Sequence, residues 1–279
     1  MNRTMGHGRA CEVFERNHRP TRSAFTLVEL LMVIAVVGLL VGILIPVVKS
    51  ADRRAEAVAC QGQLRQWGLG LSSFMGELDQ PVINMTCDAW DPFWRPYCDR
   101  RDDMLLCPAA TRYQTNKEDP CWSIWESQGA GRGSKYTAWK LPLRTPVTLE
   151  AGRTLGSYGM NYSGFWHLDA RTRRKRYVSL SNVPVFVDCI SWGAEGRSTD
   201  EPPAYEGQLE SSGLTKCCID RHNGGINSLF LDWSVRKVEL KQLWTLDWSP
   251  VFDPKNRWTR AGGVQPGDWP AWMRKFEDH

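Results

Sequence analysis

The chain has 279 residues and a formal net charge of +4, enough length for one sizeable soluble domain beside a membrane segment. Five arginines, Arg3, Arg9, Arg16, Arg19 and Arg22, stand against Glu12 and Glu15 in residues 1–24, so +3 of the charge lies there and only +1 in the rest. A nearly neutral body excludes overall basicity as an argument for a nucleic-acid partner, and a basic segment ahead of an apolar run reads as topogenic.

The first predicted element is a membrane helix. From Phe25 to Val48, 24 residues carry one charge, Glu29, and at about 1.5 Å rise each they cross a hydrocarbon core of roughly 30 Å. Arg16, Arg19 and Arg22 hold the N-terminal side in the cytoplasm and direct everything after Val48 outward. An ordinary signal peptide would be cut after its apolar core, but Pro46, Val47, Val48 and Lys49 offer no small-x-small site. A carboxylate in this segment costs several kcal/mol unless paired, so Glu29 is read as functional, with an ammonium group as its partner. Gly38 and Gly42 form a small-xxx-small pair that permits close helix approach. Pro46 removes a backbone hydrogen bond and is expected to kink or loosen the helix.

Beyond Pro46 an apolar stripe continues through Ala57, Cys60, Leu64, Trp67, Leu71, Phe74 and Leu78 at alternating spacings of three and four. The spacing predicts one helix from Phe25 to Gln80, stopped by Pro81. Gly62, Gly68, Gly70 and Gly76 weaken its intrinsic propensity, so packing against a domain must hold the second half. Residues 81–279 change character to short apolar runs with frequent Pro, Gly and Trp, which predicts strands and ordered loops. Strands are expected at Tyr177–Leu180, Pro184–Asp188, Ile226–Asp232 and Ser234–Leu240, the last two as a hairpin. Thr199–Glu206 and Ala261–Gly267 read as surface loops. Cys60, Cys87, Cys98, Cys107, Cys121, Cys189, Cys217 and Cys218 follow the membrane helix. In an exported domain an even count favours disulfides of undetermined connectivity. Zinc is the competing reading, although no CxxC pair exists and Cys217-Cys218 is vicinal.

Two stretches carry a family resemblance. Ala24-Phe25-Thr26-Leu27-Val28-Glu29-Leu30-Leu31 resembles the prepilin cleavage and methylation signature of type IV pilins and type II secretion pseudopilins, with Ala24 where Gly is usual. The resemblance implies removal of a leader, residues 1–24, by prepilin peptidase between Ala24 and Phe25, followed by N-methylation of Phe25. It further implies that Glu29 neutralises the N-terminal amine of a neighbouring subunit, and that Pro46 lets the helix bend or extend in a filament. Asp220 to Asp232 resembles the His, nine residues, Asp-Gly signature of pilin-like proteins, through Arg221, His222, Gly224, Gly225, Asn227 and Asp232, with Trp233 in place of the Gly. Leu106 to Ala109, Ser157 to Tyr162 and Val183 to Asp188 resemble the preceding segments in order.

Chemistry in this domain is weakly signalled. His222 and Asp232 form a metal or acid–base pair on one reading and a hydrogen-bonded turn on the other, and Cys217 or Cys218 near His222 lacks an oriented third group. A calcium ion held by loops containing Asp188, Asp232 or Asp247 is the cofactor alternative. Arg171 to Arg176 (RTRRKR) reads as a solvated loop or as a site for an anionic partner. Trp244, Trp248, Trp258, Trp269 and Trp272 read as core or as a carbohydrate-stacking face.

The expectation is an α+β, pilin-like protein in which a long N-terminal helix packs on an antiparallel sheet with irregular, disulfide-rich loops. Its parts are a leader (1–24), a transmembrane part (25–48), an amphipathic continuation (49–80) and a periplasmic or extracellular domain (81–279). The expected activity is structural rather than enzymatic. It is that of a single-pass inner-membrane subunit of a type II secretion pseudopilus or type IV pilus-like filament. Other pilin subunits, prepilin peptidase and the assembly machinery are the partners. The alternative is a membrane-anchored surface or periplasmic binding protein for a glycan or other ligand.

Overall fold

The computed structural model of the protein describes residues 26–77, 102–111, 133–142, 153–161, 163, 179–206, 208 and 213–279. Helix α1 runs Leu27–Glu77, 51 residues, with Pro46 inside it. The helix runs on through Pro46, as the single long helix of the sequence reading requires, because the ladder on either side survives the loss of one donor. The chain divides into two compact units, Met1–Val48 and Lys49–His279. In the first, the side chains from Leu27 to Val48 are exposed, and a Cβ on Gly38 or Gly42 would meet nothing within 4 Å. α1 contains a segment long and apolar enough to cross a membrane.

The second unit is α+β. Strands β1 (Trp139–Pro142) and β2 (Arg153–Gly156) form an antiparallel pair. Strands β3 (Tyr158–Asn161), β4 (Pro184–Asp188), β5 (Gly193–Ala194), β6 (Gly225–Phe230) and β7 (Val235–Glu239) form a five-stranded sheet in the order β5-β3-β4-β6-β7. The sheet is mixed rather than wholly antiparallel, since the short edge strand β5 runs parallel to β3. The expected strand at Pro184–Asp188 forms over those residues. Of Tyr177–Leu180, the described part ends in a 3₁₀ turn, Leu180–Asn182.

Both faces of the sheet are covered, so β4 and β6 are buried along their whole length. On one face Cys60, Leu64, Trp67 and Leu71 of α1 pack with Tyr158, Met160, Phe186 and Leu229. These four belong to the predicted stripe, of which Leu78 and the Phe74 side chain lie outside the described residues, and each large apolar side chain removed from water contributes about 1.5–3 kcal/mol. Polar clamps fix the register of helix on sheet. Asn227 Nδ2 donates to Ala57 O at 3.0 Å, Gln61 Nε2 donates to Asn227 Oδ1 at 3.0 Å, and Trp67 Nε1 donates to Met104 O at 2.7 Å. Gly68 approaches the sheet closely: an added Cβ would lie 2.9 Å from Leu229 Cδ1. Gly68→Ala should be nearly neutral, because Leu229 can yield and helix propensity gains up to about 1 kcal/mol. Gly68→Val should lose about 1–3 kcal/mol in urea denaturation, since a branched side chain cannot be absorbed there.

On the opposite face the C-terminal segment builds a second core from Ile226, Phe230, Val238, Trp244, Trp248 and Trp269 among others. Trp244 and Trp269 meet edge to face at 5.4 Å, and their neighbours Trp248 and Trp258 are buried with them. Trp244 Nε1 donates to Asp200 O at 2.8 Å and Trp248 Nε1 to Leu243 O at 2.8 Å. These four rings are core, and Trp272, half-buried, donates through Nε1 to Pro203 O at 2.8 Å.

The β6–β7 hairpin confirms the pairing expected for the last two strands, in register from Gly225 opposite Glu239 to Leu229 opposite Val235. At its tip Trp233 takes φ 67°, the left-handed position of a bulged turn where Gly is usual. That conformation costs a non-glycine residue about 1–2 kcal/mol. Packing of the indole on the helix-side core opposes the cost. The five described cysteines, Cys60, Cys107, Cys189, Cys217 and Cys218, are free and buried. No disulfide forms among these five: Cys189, Cys217 and Cys218 pack in the second core, and Cys60 and Cys107 lie in the helix-side core. Cys11, Cys87, Cys98 and Cys121 lie outside the described residues, as do Ala24, Phe25 and Arg171 to Arg176.

Candidate functional site

Two constellations emerge, one at the start of α1 and one between α1 and the sheet of the second unit. At the start, Thr26 Oγ1 and Thr26 N donate to Glu29 Oε2 at 2.7 and 2.8 Å, while Glu29 N donates to Thr26 Oγ1 at 3.2 Å. This is a capping box, with Thr26 at the N-cap and Glu29 three residues on. It satisfies backbone donors of the first turn, which hydrocarbon would leave without partners. Glu29 therefore has a local role besides the intersubunit one expected of it. The T-x-x-E spacing of Thr26-Leu27-Val28-Glu29 was a legible signal for that role.

The second constellation centres on Asp188, at the end of β4 and fully buried. Arg221 Nη1 donates to Asp188 Oδ1 at 3.0 Å, and Asn227 N donates to Asp188 Oδ2 at 2.8 Å. His222 Nε2 lies 3.1 Å from Asp188 Oδ2 and 3.3 Å from Cys107 Sγ. Cys60 Sγ, from α1, sits 3.8 Å from each carboxylate oxygen, and Tyr158 OH donates to it at 3.2 Å. Arg221 is itself held by carbonyls: Nε donates to Lys135 O at 2.9 Å, Nη1 to Ser157 O at 2.7 Å and Nη2 to Ser134 O at 2.9 Å.

Burial works against ionising Asp188, but the Arg221 guanidinium and the His222 imidazole outweigh it and hold the carboxyl below its usual range. Burial also opposes protonation of His222, yet hydrogen bonds to Asp188 and Cys107 push its pKa up to about 9. Burial drives the Cys107 thiol well above its ordinary value.

The local backbone explains how His222 arrives there. Asn223 and Gly224 take φ 52° and 88°, a left-handed pair that turns the chain into β6 and lets His222 N donate to Gly225 O at 2.9 Å. Gly224 N donates to Asp220 Oδ1. The Arg221, His222, Gly224, Gly225 and Asn227 pattern is thus one turn that delivers two side chains to Asp188 and one to α1.

Asp232 is not part of this cluster. It lies beyond the far end of β6, where its Oδ1 accepts from Ser234 N at 3.0 Å and Ser234 Oγ at 2.6 Å, so the fold separates it from His222. Asp247 accepts from Asn182 Nδ2 at 3.3 Å. Cys217 Sγ donates to Cys189 Sγ at 3.6 Å, and Cys218 Sγ lies 3.9 Å from Met273 Sδ, all in the core opposite α1.

Residues 19–45 match the family model described as the prokaryotic N-terminal methylation motif. The chain carries a prepilin-type methylation segment. No curated protein and no solved structure matched the chain. The methylation segment covers Arg19 and Arg22 of the basic flank, the expected cleavage point and most of the apolar run, and its capping box lies inside the matched range. Together with an α+β unit, it gives a pilin-type arrangement whose motif marks a substrate of prepilin peptidase. Sequence reasoning brought Arg221, His222 and Asn227 into one motif, but it missed Asp188 and Cys107 as the partners of His222 and Cys60 as the neighbour of Asp188. Cys60 was visible only as an inward position of the helical stripe, and nothing in the spacing placed three distant segments together.

Proposed function

We propose that the chain is a structural subunit of a type II secretion pseudopilus or a related type IV pilus-like filament, with no catalytic role of its own. In this reading the N-terminus is cytoplasmic before processing, the helix is held in the inner membrane, and the α+β unit is periplasmic until assembly. The observation that carries it is the continuity of α1: one helix begins in the methylation segment and ends as the packed face of a sheet-backed domain. Such a helix can supply both a membrane anchor and a filament core. Burial of Trp244, Trp248, Trp258 and Trp269 weighs against the alternative of a glycan binder that stacks sugars on them.

Intact-mass analysis of the protein recovered from its native membrane tests the reading. The expected mass is that of a chain beginning at Phe25 with one added methyl group. In cells lacking the filament assembly ATPase, the same processed chain should remain in the inner membrane. An uncut chain, or one beginning after Val48, would overturn the proposal.

A further inference from the structure

We propose that Cys60, Cys107, Asp188 and His222 form a structural binding site for a divalent zinc ion that ties α1 to the sheet. All four side chains are buried, and their ligand atoms lie within 4.8 Å of one another. They come from four separate parts of the second unit: α1, the connection that opens the 3₁₀ turn Pro108–Ala110, the end of β4 and the turn before β6.

Three of the six separations lie close to those around a four-coordinate ion, and all six are within 4.8 Å. With Zn–S near 2.3 Å and Zn–N or Zn–O near 2.0–2.1 Å, a tetrahedron has edges of about 3.5 Å between sulfur and nitrogen or oxygen and about 3.3 Å between nitrogen and oxygen. The structure places Cys107 Sγ 3.3 Å from His222 Nε2, Cys60 Sγ 3.8 Å from the Asp188 oxygens, and His222 Nε2 3.1 Å from Asp188 Oδ2.

The donor set selects the metal class. Two thiolates and an imidazole are too soft for calcium, which takes six to eight oxygen ligands, whereas they suit zinc. Four protein ligands leave no open position, which marks a structural rather than a catalytic ion. Charge also balances. A dication with two thiolates and one carboxylate carries one negative charge, and the fully buried Arg221, 3.0 Å from Asp188 Oδ1, offsets it. Arg221, Asn227 N and Tyr158 OH supply the outer hydrogen bonds that orient the carboxylate and the Cys60 sulfur. Binding releases three protons to solvent, one from each thiol and one from the His222 imidazolium, and changes no oxidation state.

The test uses the full chain in detergent micelles. Elemental analysis should find one zinc per chain. After removal of zinc, cobalt(II) should give the intense visible bands of a tetrahedral site together with thiolate-to-cobalt charge transfer. Cys107→Ser should weaken the charge transfer by about half, and His222→Gln should shift the visible bands. Should a variant fail to fold, the wild-type spectrum and alkylation of Cys60 and Cys107 remain decisive. Both thiols should resist alkylation with zinc present and react once chelator is added in mild denaturant. A disulfide between Cys60 and Cys107 in the native chain, an octahedral cobalt spectrum, or a spectrum unchanged in Cys107→Ser would each overturn the site. None of these outcomes depends on whether the chain enters a filament.

Discussion

Replacing Arg221 with methionine should lower the unfolding free energy of the α+β unit by about 3–5 kcal/mol, because it takes the guanidinium from a buried carboxylate and leaves His222 as its one charged neighbour among the described residues. Arg221 and Asp188 are both wholly shielded from solvent at 3.0 Å. The same guanidinium spans the carbonyls of Ser134, Lys135 and Ser157, so truncation frees acceptors from separate segments at once. With typical domain stabilities of about 5–15 kcal/mol, a loss of that size removes much of the margin. Arg221→Lys should recover only a small part, since an ammonium group lacks the planar fork that reaches several acceptors together. Urea denaturation followed by tryptophan fluorescence measures both variants, helped by the buried Trp244, Trp248 and Trp269. A change below about 1 kcal/mol for Arg221→Met would show that Asp188 finds other compensation.

Glu29 is expected to divide into two separable roles. Its carboxylate closes a capping box with Thr26, and a glutamine at this position retains that geometry without the charge. Glu29→Gln should therefore keep the helix start and membrane insertion while losing any pairing with the amine of a neighbouring subunit. An unpaired charge at membrane depth costs on the order of 2.5–3.5 kcal/mol on insertion scales. Losing a compensating interaction of that size corresponds to about a hundredfold fall in incorporation. Glu29→Leu should lose incorporation too, and should fray the first turn by the further 0.5–2 kcal/mol or so associated with a missing cap. Quantifying each variant in sheared filament fractions against the membrane fraction reads the first effect, and amide exchange at Leu27 to Leu30 reads the second. Wild-type incorporation of Glu29→Gln would leave Glu29 with capping alone.

The two halves of the protein differ in how much the sequence discloses. The membrane segment was legible because its signals are local: a run of apolar residues, flanking arginines, one carboxylate and a short motif around Ala24 and Phe25. The stripe through Cys60, Leu64, Trp67 and Leu71 was legible for the same reason, since helical periodicity alone decides which side turns inward. The strand at Pro184–Asp188 and the β6–β7 hairpin also announced themselves through short apolar runs around a turn.

Other features needed the tertiary structure because they depend on which distant segments meet. The short edge strand β5, only Gly193–Ala194, has no pattern of its own and exists because β3 offers a pairing edge. His222 and Asp232 look like partners when read along the chain, but a strand stands between them, and His222 turns instead to Asp188 and Cys107. The left-handed Trp233 shows the same division. Sequence identified the position as one that favours glycine, whereas packing against the helix-side core determined that a tryptophan could occupy it. By itself the sequence determined a membrane helix, its processing motif and an amphipathic continuation, all set by periodicity within a few turns. Only the fold decided that two cysteines, an aspartate and a histidine share one buried point, because their proximity arises from closing long loops around a common sheet.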